Sequence, residues 1–419
     1  MRVVVAGASG LLGAALVQRL ERAGHVVIRA GRGAELPLDY LALPSVQALA
    51  QHLRGVDAVV NAVGIFQPSA DQSFDALHVK GPQRLFDAAV AAGVPRLLQI
   101  SALGADAGSV VGYFRSKGIA DRHVLALPAS VAVVRPSLVF APDGASTRQF
   151  ARWALWPWTP LPARGAQRVQ PIHIDDLVAL LARLLEGDAT TGVIDAVGPR
   201  ALTLREYLGG FKRAFRRAPR FIPIPAALIR AVQPIASRLS GGLASADAMA
   251  MLEAGSTADA TAATRIIGRP LRDPADFFDR ATANLLRMPA QWAQWLTLMR
   301  LSLAILWLGT AWVSLFGWPR ADSHAMLAEL GLSGAFAEAA LWSSALLDAL
   351  FGAGLLLLRR RRWLYLAQML LVCAYTVLIS VGLPELWLHP FGPVLKNIPL
   401  LAMTYALYCL DRNDGSRLR

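Results

Sequence analysis

Between residue 3 and about residue 200, short runs of apolar, largely β-branched residues alternate with stretches whose apolar positions recur every three or four residues. The runs 3–6, 25–30, 58–62, 97–101 and 131–134 read as strands, and 11–23 and 81–92 between them read as helices. Strand and helix in alternation predict a doubly wound parallel sheet of the α/β class. Past residue 295 the pattern changes. Apolar stretches at 296–317, 335–358, 363–383 and 393–410 approach the roughly 20 residues that cross a bilayer, which predicts an all-α domain of four transmembrane helices. The expected division is therefore 1–290, with a small substrate lobe within 140–285, and 291–419.

Orientation follows from the arginines. Arg359, Arg360, Arg361 and Arg362 lie between the second and third expected spans, whereas 318–334 and 384–392 together hold only Arg320. That loop is expected in the cytoplasm. Four spans then place both termini on the same side, as do Arg412, Arg417 and Arg419 in the tail. The first apolar run, in MRVVVAGASG, is too short for the core of a signal peptide, which also predicts a cytoplasmic N-terminal domain. Arginine-heavy, lysine-poor usage points to a bacterial inner membrane as the address. Residues 274–295 carry Trp292 and Trp295 and read as an interfacial helix leading into the first span. The Ala-rich stretch 243–263 reads as ordinary helix and loop.

Composition narrows the classes. With 55% apolar and 17% charged residues and a mean hydropathy of +0.42, a wholly soluble protein is excluded as the reading. Lys and Arg number 42 against 29 Asp and Glu, for a net charge of +13. Such an excess suits nucleic acid or anionic lipid. No nucleic-acid module with interleaved aromatics is present, so the lipid bilayer is the expected partner. The two cysteines, Cys373 and Cys409, both in apolar runs, exclude a disulfide framework and any multi-cysteine metal site.

The sharpest chemistry lies at Gly7-Ala8-Ser9-Gly10-Leu11-Leu12-Gly13, after an expected strand and opening an expected helix. Gly7 permits the turn, Gly10 lets backbone approach a pyrophosphate, and Gly13 lets the helix press on the sheet, while free N–H groups hold the anion. About 20 residues on, where a carboxylate would select NAD(H), the chain reads Ile28-Arg29-Ala30-Gly31-Arg32. Arg32 first, and Arg29 second, would grip the extra phosphate of NADP(H), which is therefore preferred, with NAD(H) as the alternative. Tyr113 and Lys117 are four apart, on one helix face, so that an ammonium could lower the phenol's pKa for proton exchange with a carbonyl or alcohol oxygen. Ser101 would bond that oxygen, and Asn61, Ala62, Val63 and Gly64 would lie by the nicotinamide ribose.

GASGLLG, NAVG, Ser101 and YFRSK resemble the short-chain dehydrogenase/reductase superfamily. VVRPSLVFAPDG at 133–144, RVQPIHIDDLV at 168–178 and DAVGPRALTLREYL at 195–208 are similar to its atypical branch, which includes the NAD(P)-binding accessory subunit of respiratory complex I. The resemblance covers about 1–285. It implies a Rossmann sheet, a Ser101-Tyr113-Lys117 catalytic set, Lys117 as a ribose ligand, and Pro136 among the cofactor contacts. His78 stands where many relatives have a relay Asn. The complex I relatives use the nucleotide structurally, so the alternative to a hydride-transferring enzyme is a non-catalytic NADP(H)-binding assembly or sensor protein. Residues 296–411 resemble the DoxX-like module, whose own activity is poorly defined.

Two further groups stand out. His173, Asp175 and Asp176 lack a third ligand nearby and read as a capped helix start, so no metal is expected. Trp153, Trp156 and Trp158 suit a bilayer-touching surface, a greasy pocket or a buried hairpin. In the spans, Arg300, Glu338, Asp348 and Lys396 should face one another, a cavity or the interface, and Asp348 is the best functional candidate there. The reading is a membrane-anchored oxidoreductase acting on a small, lipophilic carbonyl or alcohol, with no protein partner indicated.

Overall fold

A computed structural model describes the chain apart from residues 188–190, 226–249, 251–254, 359, 391 and 412–419. Arg359, Arg412, Arg417, Arg419 and part of the Ala-rich stretch therefore lie outside the described residues. Two compact units are present, Met1–Ala290 and Gln291–Arg419.

In the first unit, β1 (Arg2–Ala6), α1 (Leu11–Arg22), β2 (Val26–Gly31) and β3 (Leu36–Pro37) are followed by α2 (Val46–His52), β4 (Ala58–Asn61) and α3 (Gly81–Ala91). Then come β5 (Arg96–Ile100), α4 (Gly112–Leu125), β6 (Ser130–Pro136), α5 (Ala145–Leu155), α6 (Ile174–Glu186), β7 (Gly192–Ala196), α7 (Leu204–Ala214) and α8 (Thr261–Ile267). The seven strands form one parallel sheet in the order β7-β6-β5-β4-β1-β2-β3. The winding reverses between β1 and β4, which is where a parallel sheet leaves a crevice at its carboxyl edge.

The sheet is covered on both sides, which is why its strands are continuous apolar runs. Val3, Val5, Val60 and Leu98 pack against Leu16 and Leu20 of α1 and Leu177 and Leu181 of α6. Their strand neighbours Val4, Val59, Leu97 and Val133 pack on the other face against Leu49, Leu85 and Phe86. Each such side chain contributes about 1.5–3 kcal/mol by leaving water.

A smaller lobe gathers α5, α7 and a parallel ribbon of Thr159–Pro162 with Phe221–Ile224 around Phe140, Phe150, Tyr207, Phe211 and Phe277. Thr203 and Glu206 start α7 with a reciprocal capping box. The stretch expected as an interfacial helix is divided differently. Phe277, Leu286 and Ala290 are buried in the lobe core, and Trp292 and Trp295 are the exposed part. Apolar residues at one helix face serve protein packing before lipid here.

The second unit is helical. Helix α9 (Arg280–Trp312) precedes α10 (Arg320–Glu329), α11 (Gly334–Leu357), α12 (Arg362–Gly382) and α13 (Asn397–Leu410). Three helical stretches, Arg280–Gly317, Gly334–Leu357 and Arg362–Gly382, are long and apolar enough to cross a membrane. The expected fourth span is shorter than the sequence pattern implied. Its 14 residues rise about 21 Å, less than the roughly 30 Å of hydrocarbon. Pro390, Gly392 and Pro393 prevent an earlier start. Asn397 at its beginning donates to Thr376 Oγ1 at 2.8 Å, well short of the end of α12. At the other end Asp411 accepts from Arg300 at 2.9 Å and from Tyr365 at 2.6 Å. Helix α13 therefore returns to the end of the bundle where α12 begins.

Candidate functional site

The glycine loop is built by close approach of backbone to backbone. Gly7 has φ +78°, and a Cβ there would sit 2.9 Å from the Ala62 carbonyl carbon and the Val63 nitrogen. At Gly13 a Cβ would fall 2.1 Å from the Gly7 oxygen. Gly10 caps α1 without a side-chain hydrogen bond, so the first N–H groups of the helix, through Leu11 and Leu12, are left for an anion. Ser9 and Leu11 are exposed on this loop and Leu12 is half-buried. The loop fits a dinucleotide pyrophosphate, because the bare glycines let strand, turn and helix close up on one another and leave the N–H groups that open α1 without a side-chain cap.

Asn61 ends β4 fully buried. Its Oδ1 accepts from Tyr40 at 2.9 Å and from the Val63 N–H at 3.1 Å, and its Nδ2 donates to Gln99 at 2.8 Å. These bonds hold the turn Ala62-Val63-Gly64 against the glycine loop. Arg29 is tied to Glu21 of α1 at 2.6 Å. Arg32, in the turn after β2, is exposed and forms no ion pair among the described residues. Pro136 closes β6, its carbonyl accepting from the Leu103 N–H at 2.9 Å.

Tyr113 and Lys117 project from one face of α4 and are 7% and 4% exposed. Phe66 lies parallel to the Tyr113 ring at 5.6 Å, and Phe74 and His78 meet it edge-on. Lys117 donates to the Ile100 carbonyl at 3.1 Å. A Cβ on Gly64 would lie 3.3 Å from Lys117 Nζ and 3.6 Å from His78 Nε2. The structure thus brings Gly64, His78, Lys117 and Tyr113 together beside the glycine loop. Ser101 is held elsewhere. Its hydroxyl donates to Asp121 Oδ2 at 2.8 Å, and Asp121 is paired with Arg135 at 3.0 Å, so Ser101 bonds neither Tyr113 nor Lys117.

The titration of these groups departs from expectation in one respect. Burial raises the Tyr113 phenol above its ordinary value, the reverse of the lowering expected from Lys117. The ammonium spends its bond on Ile100, and desolvation of the phenolate prevails. Burial also brings Lys117 down to about 8, with Asp121 pulling the other way. His78 falls to about 3, through burial first and the Lys117 charge second. Its Nε2 accepts from the Ile65 N–H at 2.9 Å, so the ring proton is on Nδ1, donated to Ser116 Oγ at 2.9 Å. With both nitrogens engaged, the imidazole ties the loop at Ile65 to α4 at Ser116.

Asp121, Arg135, Phe66 and Phe74 were absent from the sequence expectation. Asp121 follows Lys117 by four residues on the same helix face, a readable signal. The aromatics come from a loop whose path has no periodicity. His173 caps α6, accepting from the Asp175 N–H at 3.2 Å, while Asp176 is paired with Arg269 at 2.7 Å.

In the second unit Asp348 is 8% exposed, with one oxygen accepting from Thr310 at 3.0 Å. Its other oxygen, the Trp307 indole N–H and the Gln368 amide are buried without a partner among the described residues. Glu338 instead lies with Arg320, His324 and Trp342.

A seven-stranded parallel sheet with a glycine cradle at its switch point, a buried Tyr–Lys pair beside it and apolar spans downstream defines a nucleotide-binding Rossmann domain joined to a membrane domain. Residues 3–195 match the NAD dependent epimerase/dehydratase family, and residues 304–405 match the DoxX-like family. The chain therefore carries an NAD(P)-binding, short-chain dehydrogenase/reductase-like domain of the epimerase/dehydratase type followed by a DoxX-like membrane domain. Among curated relatives, the mitochondrial NADH-ubiquinone oxidoreductase 40 kDa subunit of Neurospora crassa is 25% identical over 57% of this chain and 66% of its own length. The ceramide reductase of Caulobacter vibrioides is 26% identical over 53% of this chain and 73% of its own length. The chain spans less than two thirds of the first of these. Human epimerase family protein SDR39U1, solved with NADPH, shares the fold at a TM-score of 0.52 and 23% identity, covering 70% of this chain and 99% of that one.

Proposed function

We propose that this protein is a membrane-anchored NAD(P)H-dependent oxidoreductase that reduces a lipophilic carbonyl to an alcohol. The carrying observation is that Lys117 and His78 meet at Gly64, with Tyr113 edge-on to His78, next to a glycine loop packed backbone against backbone. A nicotinamide cofactor supplies the hydride when bound. Gly7, Gly10 and Gly13, with Ser9, Leu11 and Leu12, would hold the pyrophosphate; Asn61 to Gly64, Pro136 and Lys117 would hold the nicotinamide end.

The chain's own chemistry is proton delivery. Burial keeps the Tyr113 phenol protonated, which suits it to give its proton to the oxygen that gains negative charge as the carbonyl carbon takes up hydride. Lys117, still largely charged at neutrality, would then steady the phenolate left behind. Ser101, bonded to Asp121, must turn to reach that oxygen, and its first role is to fix Asp121. Phe66, Phe74 and Phe114 around the phenol favour an apolar substrate. Similarity to a protein named ceramide reductase supports a lipid-derived carbonyl. Free Arg32 supports NADP(H) over NAD(H).

Purified protein in detergent should oxidise NADPH with at least one long-chain aldehyde or ketone. Tyr113→Phe should lower that turnover by about a thousandfold while leaving NADPH binding, read by fluorescence, unchanged. Equal turnover in the variant would remove Tyr113 as proton donor. Similarity to a complex I subunit favours a second reading, a nucleotide-holding assembly protein, and NADPH binding with no turnover across the panel would select it.

A further inference from the structure

The lobe is far more basic than the chain as a whole. Segments 145–170 and 200–225 carry eleven Lys or Arg and a single acid, Glu206, which is occupied in the α7 cap. Arg148 and Arg200 are paired, with Asp143 and Asp273. Arg164, Arg205, Arg213, Arg216, Arg217 and Arg220 form no ion pair among the described residues. Of these, Arg164, Arg205 and Arg220 lie at one feature, the ribbon of Thr159–Pro162 with Phe221–Ile224 and the turns at its ends.

The ribbon is also unusually apolar on its open side. Trp158 and Ile222 are 54% and 46% exposed, and the Arg220 guanidinium lies 5.3 Å over the Trp158 ring. On the ribbon's other face, which carries Leu161 and Phe221, a cavity of about 240 Å³ is lined by Leu161, Arg164, Arg205, Phe221 and Pro223. Arg164 reaches it from a left-handed backbone, φ 56°, and Ala163 before it has φ 43°. Non-glycine residues are held that way at a cost, most often where function requires the placement. Gly165 makes the turn tight, since a Cβ there would meet Leu161 Cδ1 at 2.6 Å and Arg205 Cβ at 3.0 Å. Two unpaired guanidiniums, an aromatic ring and a strained turn thus define a small anion site. Its volume falls below the roughly 300 Å³ at which pockets begin to enclose whole small molecules, so it suits a head group whose remainder lies outside.

We propose that this ribbon docks edge-on against an anionic bilayer surface, with Arg164 and Arg205 on one face taking the phosphate of one phospholipid head group and Trp158 and Ile222 on the other entering the interface. Charge complementarity selects the partner. Basic residues near a membrane each gain on the order of a fivefold preference for the bound state, tryptophan favours the headgroup level, and the same chain carries a membrane domain that keeps lipid at hand. A nucleic acid would be held by the same charges, but its stacking platforms are lacking among the described residues of the ribbon, where Trp158 is already covered by Arg220.

The test uses the full chain with Cys373→Ser and Cys409→Ser, and an environment-sensitive fluorophore on Ile222→Cys. Nanodiscs of phosphatidylcholine alone are compared with nanodiscs containing phosphatidylglycerol. The label should move to an apolar environment only with phosphatidylglycerol, and raised salt should reverse the change. Arg164→Gln with Arg205→Gln should lower the docked-to-free ratio by about fivefold per charge, with NADPH binding retained as evidence of a folded unit. Emission that is identical in the two lipids would overturn the proposal. So would the same change produced in neutral nanodiscs by inorganic phosphate, by a nucleoside diphosphate or by an oligonucleotide, each of which would assign the site to a soluble anion. Because the readout is lipid contact, its failure leaves the oxidoreductase reading untouched, and the absence of turnover leaves the docking result standing.

Discussion

Asp121 in the first unit and Asp348 in the second are both buried carboxylates on helices, yet their surroundings differ. Asp121 Oδ2 is held by Ser101 and by Arg135 and the carboxylate partners the charge of Lys117 four residues before it, so that, although its Oδ1 has no hydrogen-bond partner among the described residues, two cations face it. Asp348 has one hydroxyl, from Thr310, and an oxygen with no partner among the described residues. A buried carboxylate paired with a cation supports the fold, and removing one member of the pair is costly. A buried polar group with a single bond adds little to stability, so its presence in a membrane helix asks for a functional reason.

The comparison can be broken most directly at Asp121. Asp121→Ala should cost about 3 kcal/mol, by leaving Arg135 and Ser101 without their partner, and thermal unfolding of the first unit will read it. Substitution of Arg32 by Ala acts at a charge that has no internal partner, so its effect should fall on ligand alone. NADPH affinity should fall about tenfold, NADH affinity should not change, and melting without nucleotide should stay as it was. A smaller effect is expected from pH. Lys117 is charged below about 8 and neutral above, so carbonyl reduction should decline as pH rises through that value, with the decline absent from the residual activity of Lys117→Met. The smallest stability change belongs to Asp348→Leu, expected within about 1 kcal/mol of the parent or on the stabilising side. A loss as large as that of Asp121→Ala would show that the two carboxylates are equivalent after all.

Much of the first unit was legible because its signals are local. Five apolar runs marked strands to within two residues at each end, since burial on both faces leaves no alternation to misread. Gly7 and Gly13 announced the cradle by their spacing. Tyr113 and Lys117 came together because four residues make about one helical turn. Ser101 is the opposite case. Its hydroxyl is claimed by Asp121, twenty residues away, and nothing at position 101 reveals that competition. The Tyr113 phenol moved against expectation because the packing of Phe66, Phe74 and Phe114 around it is a property of tertiary structure. In the second unit, hydropathy located every apolar stretch but could not give the length of the last helix, which depends on where Asn397 finds Thr376.

The bond from Arg300 to Asp411 joins residues near the two ends of the second unit's sequence, and Tyr365 shares the same carboxylate. Such a clasp can form only after residue 411 has left the ribosome, so the helices before it must wait for that residue, inserted but unlocked. A reporter or affinity tag spliced before that aspartate would keep the clasp from closing, whereas one added beyond it would leave the bundle free to lock.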